Sequence, residues 1–176
     1  MDSGRPSRLL LPIRPFDHAH GPEDAPYTLV EYGDYECPDC GRLYVTLRDL
    51  QKEIASRLRV VFRHYPLSGI HHHAQQAAEA AEAAGAQGKF WEMHTLLFER
   101  REALRTKDLI HYAGELSLDV ERFRDELKHQ TYSEGVRADF IAGVQNGVYR
   151  TPGLFLNSVR YDGNLDKESL ESLLKT

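Results

Sequence analysis

A strand, a helix and a second strand follow one another without interruption between Pro26 and Pro66. Tyr27–Tyr32 (YTLVEY) is rich in β-branched and aromatic residues and is bounded by Pro26 and Gly33, which predicts a strand. Its near-continuous apolar character predicts a central strand covered on both faces. The stretch CGRLYVTLRDLQKEIASRL, from Cys40 to Leu58, carries Leu43, Leu47, Leu50 and Ile54 at helical spacing on one face. Leu58–Tyr65 (LRVVFRHY) predicts the second strand, stopped by Pro66. A connection of this length, built around a helix, suits two parallel strands with a crossover. The chain is thereby committed to an α/β fold.

The texture then changes. HAQQAAEAAEAAGAQGKFWEMHTLLFER is rich in strong helix formers, and Gly85 and Gly88 divide it into two helices. TKDLIHYAGEL, DVERFRDELKH and SEGVRADFIAGVQN continue as helices, with Thr106 and Asp119 as expected N-caps. Residues 70–146 therefore read as one helical block. After it, GLFLN and VRYDG read as two short strands joined by a tight turn at Asn157–Ser158, and DKESLESLLK as a closing helix. The order is β-α-β, a helical block, then β-β-α. The expected division is an irregular arm or edge segment over 1–26, an α/β domain over 27–69 and 147–176, and an inserted all-helical domain over 70–146. The first of these carries Pro6, Pro12, Pro15, Gly21, Pro22 and Pro26.

A chain of 176 residues supports one domain with a real core. The formal net charge of −5 argues against a nucleic-acid surface, which needs a basic stripe. No apolar run approaches a membrane span, and the run Leu9–Ile13 is too short for an export leader and is broken by Pro12. The expectation is a cytoplasmic protein with neither nucleic acid nor membrane among its partners.

Cys37 and Cys40 are the only cysteines, in the sequence Cys37-Pro38-Asp39-Cys40. A bridge between them closes too small a loop to constrain the unfolded chain much, so chemistry is the better reason for the pair. The preceding strand and short loop place Cys37 at a helix N-terminus. Pro38 suits the first turn there, because its missing N–H has no partner to lose. Unpaired backbone N–H groups and the helix dipole favour an anion at that point. The thiolate is the nucleophile of disulfide exchange, so Cys37 would attack and Cys40, one turn deeper, would resolve the mixed disulfide. Zinc is the competing use of C-x-x-C. Among nine histidines, His71–His73 is the obvious donor cluster, but adjacent histidines do not match the H-x₃₋₅-H spacing of a structural site. The triplet reads instead as a solvated helix entry. Phe90, Trp91 and Phe98 read as core, and the acids of the last helix as a solvated face.

Pro152, in YRTPGLFL, stands just before a strand, where proline's missing donor is tolerated. A second reading is a cis Thr151–Pro152 bond that exposes the backbone of Thr151 to dock an extended substrate chain.

APYTLVEYGDYECPDCG, FRHYPL, AAEAAGAQGKFWEMHTLLF and GVYRTPGLFLN, in that order, make the chain similar to the DsbA-like branch of the thioredoxin superfamily. The likeness runs from about Gly21 to Gly163. It implies a thioredoxin fold with a helical domain inserted between its two halves. It implies thiol–disulfide exchange with Cys37 as nucleophile, Cys40 as resolving thiol and Pro152 as the cis-proline. It also implies an acid buried under the thiols, a place matched by Glu31, which would take or relay the proton of Cys40. Strongly oxidising members are exported and commonly carry His in the dipeptide, where this chain has Asp39. Asp34, Glu36 and Asp39, taken as exposed, each oppose the thiolate by roughly 0.6 kcal/mol at about 7 Å in water-like dielectric. The dithiol is therefore expected to lie away from the oxidising extreme. The implied partners are protein or peptide thiols and disulfides, plus a recycling donor such as glutathione or a thioredoxin system, with no bound cofactor. The alternatives are a thioredoxin-fold adaptor or chaperone without redox turnover, and a zinc protein.

Overall fold

β-Branched and aromatic residues do form the strands, and they assemble into one five-stranded sheet. A computed structural model describes residues 8–174. In chain order the strands are β1 (His18–His20), β2 (Tyr27–Gly33), β3 (Leu58–His64), β4 (Gly153–Leu156) and β5 (Val159–Tyr161). Their order in the sheet is β1-β3-β2-β4-β5, so β2 is central, as its apolar run requires. The helices are α1 (Pro38–Glu53), α2 (Ala74–Gly85), α3 (Phe90–Glu99), α4 (Thr106–Glu115), α5 (Val120–Lys128), α6 (Ser133–Gln145) and α7 (Lys167–Leu173). The chain forms two compact units.

The first unit holds residues 8–33, 38–63 and 141–174. Its core joins Leu43, Leu47 and Leu50 of α1 to Leu29, Leu58, Val60 and Leu154 of the sheet and to Leu170 and Leu174 at the end of the chain. The helix expected to run to Leu58 ends at Glu53. Ile54 still bonds back to Leu50, but Arg57 N closes a turn on Ile54 O at 2.8 Å, and Leu58 enters β3. β4 and β5 are antiparallel and joined by Asn157–Ser158, at φ 46° and 67°. Two successive left-handed residues make the turn whose twist matches a hairpin. Asn157 also bonds the sheet through its side chain: Oδ1 accepts from Thr28 N at 2.8 Å, and Nδ2 donates to Pro26 O at 3.1 Å.

The N-terminal arm is anchored by charge. Arg63 in β3 is fully buried, and its guanidinium donates to both carboxylate oxygens of Asp17 at 3.2 and 2.7 Å. It also donates to Leu11 O, Pro12 O and Tyr32 Oη. The Asp17 carboxyl is pushed up by burial, but hydrogen bonds from Arg63 and Arg14 outweigh this and hold it below the usual carboxylate range. The arm thus adds the edge strand β1, paired antiparallel with β3. The first seven residues of the expected arm, and Lys175 of the expected last helix, lie outside the described residues. Asp166 caps α7, its Oδ1 accepting from Ser169 N at 2.9 Å, rather than simply facing solvent.

The second unit is Asp34–Cys37 with His64–Phe140. The Ala-rich α2 buries Ala77, Ala78, Ala80, Ala81, Ala83 and Ala84, and its small side chains let α3 and α5 approach it. Gly88, at φ 77°, separates α2 from α3. Asp119 caps α5, accepting from Arg122 N at 3.0 Å. Thr106 is not a cap but the first residue of α4. Arg105 takes the cap position, Asp108 accepts from its N–H, and the Thr106 hydroxyl bonds Gln76 instead. Phe90 and Phe98 are buried as core, while Trp91 is partly exposed.

Candidate active site: the dithiol loop

α1 begins at Pro38, directly after Cys37. Proline supplies a preset helical φ and has no N–H to leave unpaired. Cys37 thus occupies the boundary residue of a 16-residue helix, where free N–H groups and the macrodipole favour a negative charge. Cys40 lies in the first turn of α1. Both cysteines are buried, Cys37 at 5 % exposure and Cys40 at 0 %. Asp39 is exposed and ion-paired with Arg42 one turn on.

The three residues before Cys37 are each anchored in the helical unit by their side chains. Asp34 is buried, and its Oδ2 accepts from Leu67 N and from the His71 ring Nδ1, both at 2.8 Å. Its Oδ1 accepts from Glu36 N at 2.8 Å, and its backbone oxygen accepts from Cys37 N at 3.2 Å. This is an Asx-type turn, in which a short acid folds the backbone that follows it. The Tyr35 hydroxyl meets His94 Nδ1 at 3.0 Å, and its ring packs on Phe98 at 4.8 Å between centroids. Glu36 accepts from the His73 backbone N–H at 2.7 Å and from its ring Nδ1 at 3.0 Å. Burial pushes the Glu36 carboxyl up, but those two bonds and the charges of His73 and His71 hold it below its usual range.

Two expectations are corrected here. The histidine triplet is not a solvated helix entry: His71 and His73 hold carboxylates of the dithiol loop, and only His72 is exposed. Asp34 and Glu36 are not exposed acids in water-like surroundings; only Asp39 is. Two of the histidines considered for zinc, His71 and His73, are bonded to these acids. Among the described residues no group of three or more His, Cys, Asp or Glu is arranged to hold a metal.

Glu31 is buried in β2 at 2 % exposure, in register with Leu154 of β4. Its carboxylate lies close by Gly33: a Cβ added there would come within 2.8 Å of Glu31 Oε1 and 2.4 Å of the Phe62 ring. The Thr151–Pro152 bond is cis, and both residues are buried just before β4. Gly153 pairs with Tyr32, so the antiparallel register brings Thr151–Pro152 to the sheet end where β2 finishes at Gly33.

The loop anchors had no signal in the sequence: each bonded acid–histidine pair is separated by 37 positions, beyond the reach of periodicity or turn chemistry. The buried Arg63 had none either, because an Arg inside an apolar strand names no partner.

A thioredoxin family model matches residues 14–176. BdbD from Bacillus subtilis superposes with a TM-score of 0.80 at 23 % identity, over 90 % of this chain and 91 % of that one. A thioredoxin-like oxidoreductase from Silicibacter pomeroyi gives 0.80 at 23 %, over 92 % of each chain. A Salinispora arenicola protein named Na(+)/H(+) antiporter NhaA 1 is 44 % identical over 165 residues, 93 % of this chain but 25 % of that protein. The chain spans about a quarter of the length of the curated relatives it matches, so their name describes much longer proteins. No helix among the described residues is long and apolar enough to cross a membrane. The family match and the shared architecture agree: the chain belongs to the thioredoxin family, with the fold of its DsbA-like thiol–disulfide oxidoreductases.

Proposed function

We propose that the protein exchanges thiols and disulfides with protein or peptide substrates through Cys37 and Cys40. The observation that carries this reading is the position of Cys37, immediately before the first residue of a long helix on a fold of this family. The Cys37 thiolate attacks one sulfur of a substrate disulfide. A Cys37–substrate bond forms, and the other substrate sulfur leaves as a thiolate. Cys40, deprotonated with Glu31 as the proton acceptor, then attacks the Cys37 sulfur. The second substrate thiol leaves, and a Cys37–Cys40 disulfide remains. A recycling thiol donor such as glutathione or a thioredoxin system reduces it. Thr151 and Pro152 offer backbone for docking an extended substrate chain. Asp39 and the ionised Glu36 oppose the thiolate, which favours reductase or isomerase work over net oxidation.

Insulin reduction tests the reading. Cys37→Ser abolishes turnover, and Cys40→Ser accumulates mixed disulfides on Cys37. Unchanged reduction by Cys37→Ser would leave the adaptor reading in its place.

A further inference from the structure

The loop ahead of Cys37 is held by two matched acid–histidine pairs. The Asp34 carboxylate accepts a hydrogen bond from the His71 ring at 2.8 Å, and the Glu36 carboxylate accepts one from the His73 ring at 3.0 Å. A carboxylate only accepts, so Nδ1 carries the proton in both rings. The backbone N–H groups of Leu67 and His73 add a second bond to each acid. Of the other histidines of this unit near the loop, His64 Nε2 is engaged with Glu82 at 2.8 Å, and His94 Nδ1 meets the hydroxyl of the loop's Tyr35 at 3.0 Å and bears no acid of the loop. Position 36 directly precedes Cys37, whose sulfur has to ionise in the exchange proposed above.

We propose that His71 and His73 are positioning residues for Cys37: by holding Asp34 and Glu36 they fix the turn that presents the thiol and offset the negative charge beside it. This rests on the disulfide-exchange reading above. Neither histidine touches the substrate; each acts through an acid. The physical consequence is a sign rule. Removing a histidine bares a carboxylate and disfavours the thiolate, whereas removing the carboxylate favours it.

The test follows the ionisation of Cys37 by the pH dependence of alkylation, in the full chain carrying Cys40→Ser. The Glu36–His73 pair is altered because its side chains are 24 % and 41 % exposed, so the change leaves no buried hole. His73→Ala raises the thiol titration and slows alkylation at pH 6 about threefold, while Glu36→Gln lowers it and speeds alkylation by about the same factor. In the Glu36→Gln background, His73→Ala has no further effect. His73→Asn, which keeps a donor, recovers part of the loss. His71→Ala moves the titration in the same direction as His73→Ala. Shifts of the same sign for His73→Ala and Glu36→Gln, no shift in either, or a His73→Ala effect that persists without Glu36, would overturn the proposal. Thiol ionisation is read without turnover, so these outcomes are separate from failure of insulin reduction.

Discussion

Glu36 and Asp39 stand on either side of Cys37 in the sequence and meet different surroundings. Asp39 is exposed and shares its charge with Arg42, so its effect on the thiol is screened by water and salt. Glu36 is partly buried and bonded by His73, and those bonds hold its carboxyl below the usual carboxylate range. Glu31 is of a third kind, a strand acid at 2 % exposure. Glu31→Gln keeps its shape but cannot accept a proton. Resolution of a Cys37 mixed disulfide by Cys40 then slows on the order of a hundredfold, while the first attack by Cys37 is unchanged. Rapid-mixing kinetics of the two steps check this, and equal slowing of both would remove Glu31 from the proton path.

Among the elements, the arm and the hairpin depend on single side chains. Arg63→Met leaves the buried Asp17 with Arg14 as its remaining cationic partner and costs about 3 kcal/mol, measured by urea unfolding. The acid side of the pair has a definite sign. The folded pKa of Asp17 is depressed, so its contribution is present above the unfolded value of about 3.9 and is lost as pH falls through the folded one. Asp17→Asn therefore flattens the loss of stability below about pH 4 while lowering stability at neutral pH. At the hairpin, Asn157→Ala removes two side-chain bonds and a residue that tolerates left-handed backbone, which costs about 1–2 kcal/mol in the same unfolding experiment. The helices and the strands β2 to β5 were legible from periodicity and turn chemistry, whereas β1 was not, because its three residues become a strand only by pairing with β3. Asn157–Ser158 and Gly88 mark turns through residue type alone. The overlong α1 and the misplaced cap at Thr106 were not legible, because both ends are decided by which partner the backbone finds: Ile54 O for Arg57, Asp108 for Arg105.

For the whole molecule, the proposed exchange sets a helix terminus, which favours an anion at Cys37, against the acids Glu36 and Asp39 on either side of it. The dithiol is expected to be more reducing than about −150 mV against glutathione, well away from the roughly −120 mV of DsbA itself. A higher measured potential would mean that the charges of Glu36 and Asp39 do not reach the thiol. In the relatives about four times as long, the matched region is one part of a larger protein. The exchange chemistry proposed for it is a property of the matched region.

The order β-α-β, helices, β-β-α and the spacing Cys37-Pro38-Asp39-Cys40 are local facts, and they determined the fold class and the candidate dithiol from sequence alone. Periodicity and residue type act over a few positions, so they survive in one dimension. The roles of the acids do not. Asp34 and Glu36 look like surface charges until His71 and His73, 37 positions away, close on them. Arg63 looks like an error in a strand until Asp17 reaches it across 46 positions. Burial and long-range hydrogen bonding decide whether a charge is screened, paired or kept as a proton acceptor, and only the tertiary structure supplies both.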